Sequence, residues 1–252
     1  MNMFNRLQNF SVVDCKFPLI KFHNFLTDTE SNKIVETLSN QSNFDNNVMG
    51  GRNVIYKNSN IFGRLEKVDI FNKINLFLNQ KKTFNFFLEK LIGIKNNGYN
   101  FNPSNLSNKF KEKKTTGILK ILDKILNKTS NGYIYLEMDY SNAQSGYYRE
   151  PHHDKKERIL NFLLYFNTLN EEDGGALEIY KYKNNQNHFL QRPDINNLVL
   201  DRKIYPKANE LLVFMSNPIS IHGVEKFVSN SKNRIFSYGS YTLSKRVDWV
   251  KI

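Results

Sequence analysis

The chain has 252 residues, of which 40% are hydrophobic, including 20 Phe and 13 Tyr; that is enough apolar mass for a sizeable core in one domain and excludes a disordered chain. Its formal charge of +12 suits a polyanionic partner, yet the lysines are scattered, with short clusters only at Lys109–Lys114 and Lys155-Lys156, so a solvated basic surface is the simpler account. The single cysteine, Cys15, excludes an internal disulfide and a thiolate metal cage, and no run resembles a secretory leader or a membrane span, so a cytoplasmic protein is expected.

Taken in order, Phe17–Leu26 reads as a short apolar strand, and Thr27 and Glu30 stand at capping-box spacing ahead of a helix through about Leu38. Between Val68 and Ile92 apolar residues recur at helical spacing, interrupted around Asn79–Lys82, which predicts one broken helix or two. Asn96–Lys114, rich in Asn, Gly, Ser and Lys, reads as a surface loop, and Ile118, Ile121, Leu122 and Ile125 give the next stretch an amphipathic face. From Gly132 the pattern changes to short strand-like runs: Tyr133–Tyr140, Ile159–Asn167, Ala176–Tyr180, Leu198–Arg202, Glu210–Phe214 and Ile235–Thr242. A helix-rich support over 15–130 followed by a strand-rich core over 131–245 predicts one domain, mainly β with flanking helices (α+β), the helices packed against an antiparallel sandwich or barrel.

His152-His153-Asp154 lies between two strand-like runs, and His222 follows the apolar run Leu211–Phe214. Side chains alternate in extended backbone, so His152 and Asp154 share a face and His153 points away. Two imidazoles and one carboxylate on one face of a metal leave its other positions open, as non-haem iron(II) oxygenases require. The neighbouring pieces, in order, are Tyr165-Phe166-Asn167, Gly174-Gly175-Ala176-Leu177, Asn209–Phe214, His222-Gly223-Val224 and Arg234. Together with the H-x-D they make the chain resemble the prolyl-4-hydroxylase-like branch of the 2-oxoglutarate/Fe(II)-dependent dioxygenases. The resemblance covers Tyr133–Thr242 and extends to Pro18–Leu38, but not to Val48–Thr129.

The resemblance implies a double-stranded β-helix core, a cupin-like jelly roll, with Fe(II) held by His152, Asp154 and His222. It implies 2-oxoglutarate as cosubstrate with O2, and ascorbate as an auxiliary reductant. Oxidative decarboxylation to succinate and CO2 would then be coupled to hydroxylation of an unactivated C–H bond, in a peptidyl proline or a small metabolite. The remote carboxylate of 2-oxoglutarate needs a fixed cation, and Arg234 offers a planar fork, although its twelve-residue distance from His222 leaves Lys232 as a competitor. Tyr165 matches a position whose hydroxyl assists that carboxylate, with plain core as its other reading. Tyr140 is a second candidate for the cosubstrate pocket, Asn161 and Tyr238 face it if the strand registers agree, and Tyr147 and Tyr148 would border the entrance, as would the loops Asn96–Lys114 and Lys181–Asp201. Gly174 and Gly175 are accounted for by a tight turn.

Asp154 argues against a related halogenase, where a small residue makes room for halide. A nucleic-acid demethylase would use the basic charge, but Ser240 stands where that group carries a second arginine. The non-enzymatic rival is a catalytically silent β-sandwich binding or scaffold module.

Overall fold

The run Ile159–Tyr165 is apolar at every position but Asn161, the pattern of a strand covered on both faces. The computed structural model describes residues 3–48, 50–94, 100–101, 109–111, 132–184, 191–244 and 250–251. Its N-terminal part contains β1 (Phe10–Val12), β2 (Leu19–Phe22), β3 (Asn46–Val48), β4 (Arg52–Tyr56) and β5 (Asn100–Phe101). Then follow β6 (Ile134–Ala143), β7 (Arg149–His152), β8 (Arg158–Tyr165), β9 (Leu177–Tyr182) and β10 (Leu198–Ile204). The last are β11 (Leu211–Met215), β12 (Ile221–Val224), β13 (Arg234–Leu243) and β14 (Val250–Lys251).

An eight-stranded sheet runs in the order β1-β2-β11-β8-β13-β6-β4-β3, a four-stranded sheet in the order β10-β9-β12-β7, and β14 pairs with β5. Every strand pairing among the described residues is antiparallel. The chain passes from one large sheet to the other at nearly every connection from β6 to β13, and β13 returns to lie between β6 and β8. This is a jelly-roll core. Side-chain alternation sorts the large sheet into two packing layers. Leu160, Phe162 and Leu164 of β8, with Leu211 and Val213 of β11, belong to the helix-side core. Leu163, Tyr165, Leu212 and Phe214 face the small sheet, where they meet Leu177 and Ile179.

Among the described residues the α-helices are α1 (Met3–Arg6), α2 (Asp28–Ser39), α3 (Asn60–Leu65), α4 (Asp69–Leu78) and α5 (Lys81–Ile92). Thr27 caps α2 in a full capping box with Glu30, as its spacing predicts. The broken periodicity after Val68 is two helices, α4 and α5, which bury Phe71, Ile74, Phe84, Phe87 and Leu91 against the large sheet. Among the described residues no helix is long and apolar enough to cross a membrane. The N-terminal part is more than helical support, since β1 and β2 extend one flank of the large sheet and β3 and β4 the other. The expected helix near Ile118–Ile125 lies outside the described residues; of Asn96–Lys114, β5 and a bridge from Phe110 to Ile134 are described.

Candidate metal centre

β7 ends at His152, and its antiparallel partner β12 places His222 directly opposite. The two imidazole rings lie 4.5 Å apart, and Asp154 follows two residues beyond the strand end. One ligand atom from each of His152, Asp154 and His222 falls within 4.8 Å of the others, a group that could hold a metal ion. Both rings are oriented the same way: His152 Nδ1 donates to the Glu150 carbonyl at 2.8 Å and His222 Nδ1 to the Ser220 carbonyl at 3.0 Å. Each bond sets the tautomer that keeps Nε2 as the acceptor nitrogen, the form a metal needs. Burial, reinforced by His222, pushes the His152 imidazole down to about 3, so it is neutral at physiological pH. His153 turns away, with Nε2 2.7 Å from the Pro218 carbonyl oxygen.

The Asp154 carboxylate is buried and asymmetric. Oδ1 accepts from Arg158 Nη1 and from Tyr238 Oη at 3.0 Å, while Oδ2 faces His222 Nε2 at 3.4 Å and has no hydrogen-bond partner among the described residues. Burial alone would raise this carboxyl, but His222, Arg158 and His152 hold it down to about 2, so it carries its charge.

A cavity of about 300 Å³ joins these residues to Arg234 at the head of β13. The Arg234 side chain is wholly buried; Nε donates to the Gly175 carbonyl at 2.9 Å and the guanidinium lies 4.1 Å from the Phe236 ring centre. Its Nη1 and Nη2, and the Tyr165 hydroxyl near it, are buried without hydrogen-bond partners among the described residues. Burial pushes the Tyr165 phenol up to about 12, against the pull of Arg234, so it remains a donor. Lys232 is spoken for by Asp173 at 2.6 Å. An unpaired buried guanidinium is costly, and a carboxylate accepting from Nη1 and Nη2 would relieve that cost. The residues therefore fit a metal at one end of the cavity and an anion at the other.

Of the remaining expected residues, Tyr238 and Asn161 stand on the metal side, linked by a 3.3 Å hydrogen bond. Tyr147 is buried, stacked on Phe236, and lies beneath Arg234, while Tyr148 is half exposed at the rim of an adjoining 640 Å³ cavity. Tyr140 is not brought to the site. It projects to the helix side, stacked on Phe62 at 5.4 Å and edge-on to Phe71 at 4.8 Å, because β6 turns Asp139, Ser141 and Ala143 to the small sheet and Met138 and Tyr140 to the helices.

Sequence reasoning missed three contributions. Arg158 is returned to Asp154 by a turn closed by its backbone N–H on the Lys155 carbonyl. Gly175 contributes the carbonyl that orients Arg234, beside Gly174, whose φ of +68° and a Cβ contact of 2.2 Å to the Lys226 oxygen admit only glycine. Arg52 of β4 reaches the cavity wall, donating to Asp139 at 2.7 Å and lying 5.1 Å from the Phe236 ring centre. A basic residue four positions after the H-x-D was the one visible signal, for Arg158.

Residues 138–239 match the family model described as the 2OG-Fe(II) oxygenase superfamily. No protein in the curated set matches the chain significantly. Among solved structures, the chain is similar to a Pseudomonas putida prolyl-4-hydroxylase, with 13% identity, 90% of this chain and 93% of that one covered, and a TM-score of 0.46. A Trichoplax adhaerens prolyl hydroxylase, solved with a hypoxia inducible factor oxygen degradation domain peptide fragment, shows 18% identity, coverage of 97% and 89%, and a TM-score of 0.48. HygX from Streptomyces hygroscopicus, with nickel and 2-oxoglutarate bound, shows 10% identity, coverage of 90% and 83%, and a TM-score of 0.48.

Proposed function

We propose that this protein, whose residues 138–239 match the 2OG-Fe(II) oxygenase superfamily model, is a 2-oxoglutarate-dependent hydroxylase of the prolyl-4-hydroxylase-like branch. It inserts oxygen into an unactivated C–H bond of a peptidyl proline or a small metabolite. One atom of O2 enters the new hydroxyl and the other enters succinate, with CO2 released. Fe(II) and 2-oxoglutarate supply the oxidising chemistry when bound, and the chain supplies position and a closed pocket. His152, Asp154 and His222 hold the iron; the Arg234 fork takes the remote carboxylate, oriented by the Gly175 carbonyl and helped by the Tyr165 hydroxyl.

The observation that carries this reading is the pair of buried polar groups without partners along one cavity, Asp154 Oδ2 at the triad and Arg234 Nη1 and Nη2 at the far end, with the unpartnered Tyr165 Oη buried near Arg234. A silent β-sandwich module would bear their desolvation cost with nothing in return. For the substrate, the metal-side cavity adjoins two others. It shares Arg149 and His152 with the 640 Å³ cavity, and Tyr56, Asp139, Arg158 and Tyr238 with a third of 310 Å³. A metal-side cavity that adjoins two further cavities, each through a different set of walls, favours an extended substrate over a small metabolite.

The test is anaerobic Fe(II) titration with 2-oxoglutarate. A weak visible charge-transfer band and slow substrate-independent succinate formation are expected, both lost in His152→Ala and Asp154→Ala. Intact protein that binds no iron and forms no succinate would establish the silent module instead.

A further inference from the structure

Asp154 has two oxygens, and the structure treats them differently. Arg158 Nη1 donates to Oδ1, and the same nitrogen lies 2.5 Å from the Tyr238 oxygen. Because Tyr238 Oη accepts there, its one proton goes to an acceptor, and Asp154 Oδ1 at 3.0 Å is nearer and charged where Asn161 Oδ1 at 3.3 Å is neutral. The two donors come from separate strands, Arg158 from the start of β8 and Tyr238 from the middle of β13, and the guanidinium lies 5.2 Å from the Tyr238 ring centre. Oδ1 is thereby occupied from two directions, while Oδ2 is buried, without a partner among the described residues, and turned to His222 Nε2.

Resting on the metal centre read above, we infer that Arg158 and Tyr238 are positioning residues that hold Asp154 to a single metal-ligating oxygen. The consequence is one of counting positions. A metal held by one atom each from His152, His222 and Asp154 would keep its remaining positions for exogenous ligands. A carboxylate free to swing both oxygens onto the metal would take one of those positions. Charge-assisted donors are the strong kind of hydrogen bond, and removing such partners of a metal ligand typically lowers metal affinity by ~10–100-fold.

The experiment titrates metal-free protein anaerobically with Co(II) alone, following visible absorption and heat. Tyr238→Phe and Arg158→Gln should weaken Co(II) binding by about 10–100-fold, and the saturated spectrum should shift as the coordination changes. Arg158→Lys, which keeps a charged donor in reach of Oδ1, should recover part of the affinity. Variants that melt at lower temperature but keep the wild-type Co(II) affinity and spectrum overturn the positioning role and leave the metal centre standing. Wild-type protein that fails to bind Co(II) overturns both.

Discussion

Lys232 and Arg234 stand two positions apart on the approach to β13 and end in opposite surroundings: Lys232 meets Asp173 at 2.6 Å with its side chain 40% exposed, while Arg234 is wholly buried above Phe236. Only the second can face an anion inside the cavity. Arg234→Ala is therefore expected to raise the 2-oxoglutarate concentration needed for half-maximal succinate formation by at least about tenfold, the range of a lost charged hydrogen bond, with iron affinity little changed. Lys232→Ala should leave both unchanged; the reverse pattern would reassign the cation.

Tyr165 and Tyr140 lie in different packing layers of the large sheet. Tyr165→Phe removes a hydroxyl beside Arg234 and should raise the 2-oxoglutarate requirement several-fold. Tyr140→Phe removes a buried hydroxyl that has no partner among the described residues, within the helix-side core. It is expected to be neutral or slightly stabilising, with no effect on cosubstrate binding. Parallel titrations of the two variants check this, and a Tyr140→Phe defect equal to that of Tyr165→Phe counts against the placement.

Acid should weaken the metal-free protein. Burial lowers the folded His152 pKa to about 3 from an ordinary 6.5, so between those values the unfolded chain binds a proton that the folded one does not. Stability is then full above the unfolded pKa and is lost as pH falls toward the folded one. Asp154, held down to about 2 from 3.8, adds a loss of the same sign below pH 3.8. Melting temperatures measured from pH 8 to 4 should fall more steeply for wild type than for His152→Gln; equal slopes would refute the contribution of His152.

At Gly239 a Cβ would lie 2.1 Å from Phe162 Cζ and 2.8 Å from the Glu137 carbonyl oxygen, between the two strands that flank β13. Gly239→Ala should cost at least ~1–3 kcal/mol through overpacking, read as a lower urea midpoint without a change in slope.

Much of the site was legible because its signals are local. The two-residue spacing of His152 and Asp154 survives any uncertainty in strand ends, and the Thr27–Glu30 box needs no tertiary context. The parity of Tyr140 was in the pattern itself: β6 alternates Leu136, Met138 and Tyr140 with Glu137, Asp139 and Ser141, which sets Tyr140 on the apolar, helix-side face, and the resemblance alone had put it at the cosubstrate. β7 and β12 escaped because each has only four residues, one carrying Pro151 and the other Gly223, neither typical of strands. The hairpin β3–β4 escaped because Asn46 and Asn47 read as turn residues, and Arg52 went unnoticed with it. The Arg158–Tyr238 contact joins positions 80 apart, a pairing that only the folded sheet creates.

β13 pairs with β6 over ten positions on one side and with β8 on the other, although some ninety residues of chain separate β6 from β13. The middle of the large sheet thus remains a gap until nearly all of the jelly roll has been synthesised. Until then β6 and β8 each present an unpaired, strongly apolar edge. Such late, long-range closure is slow and leaves intermediates prone to associate through those edges. Yield of soluble protein should accordingly depend on growth temperature and chaperone supply more than on the thermodynamic stability of the finished fold.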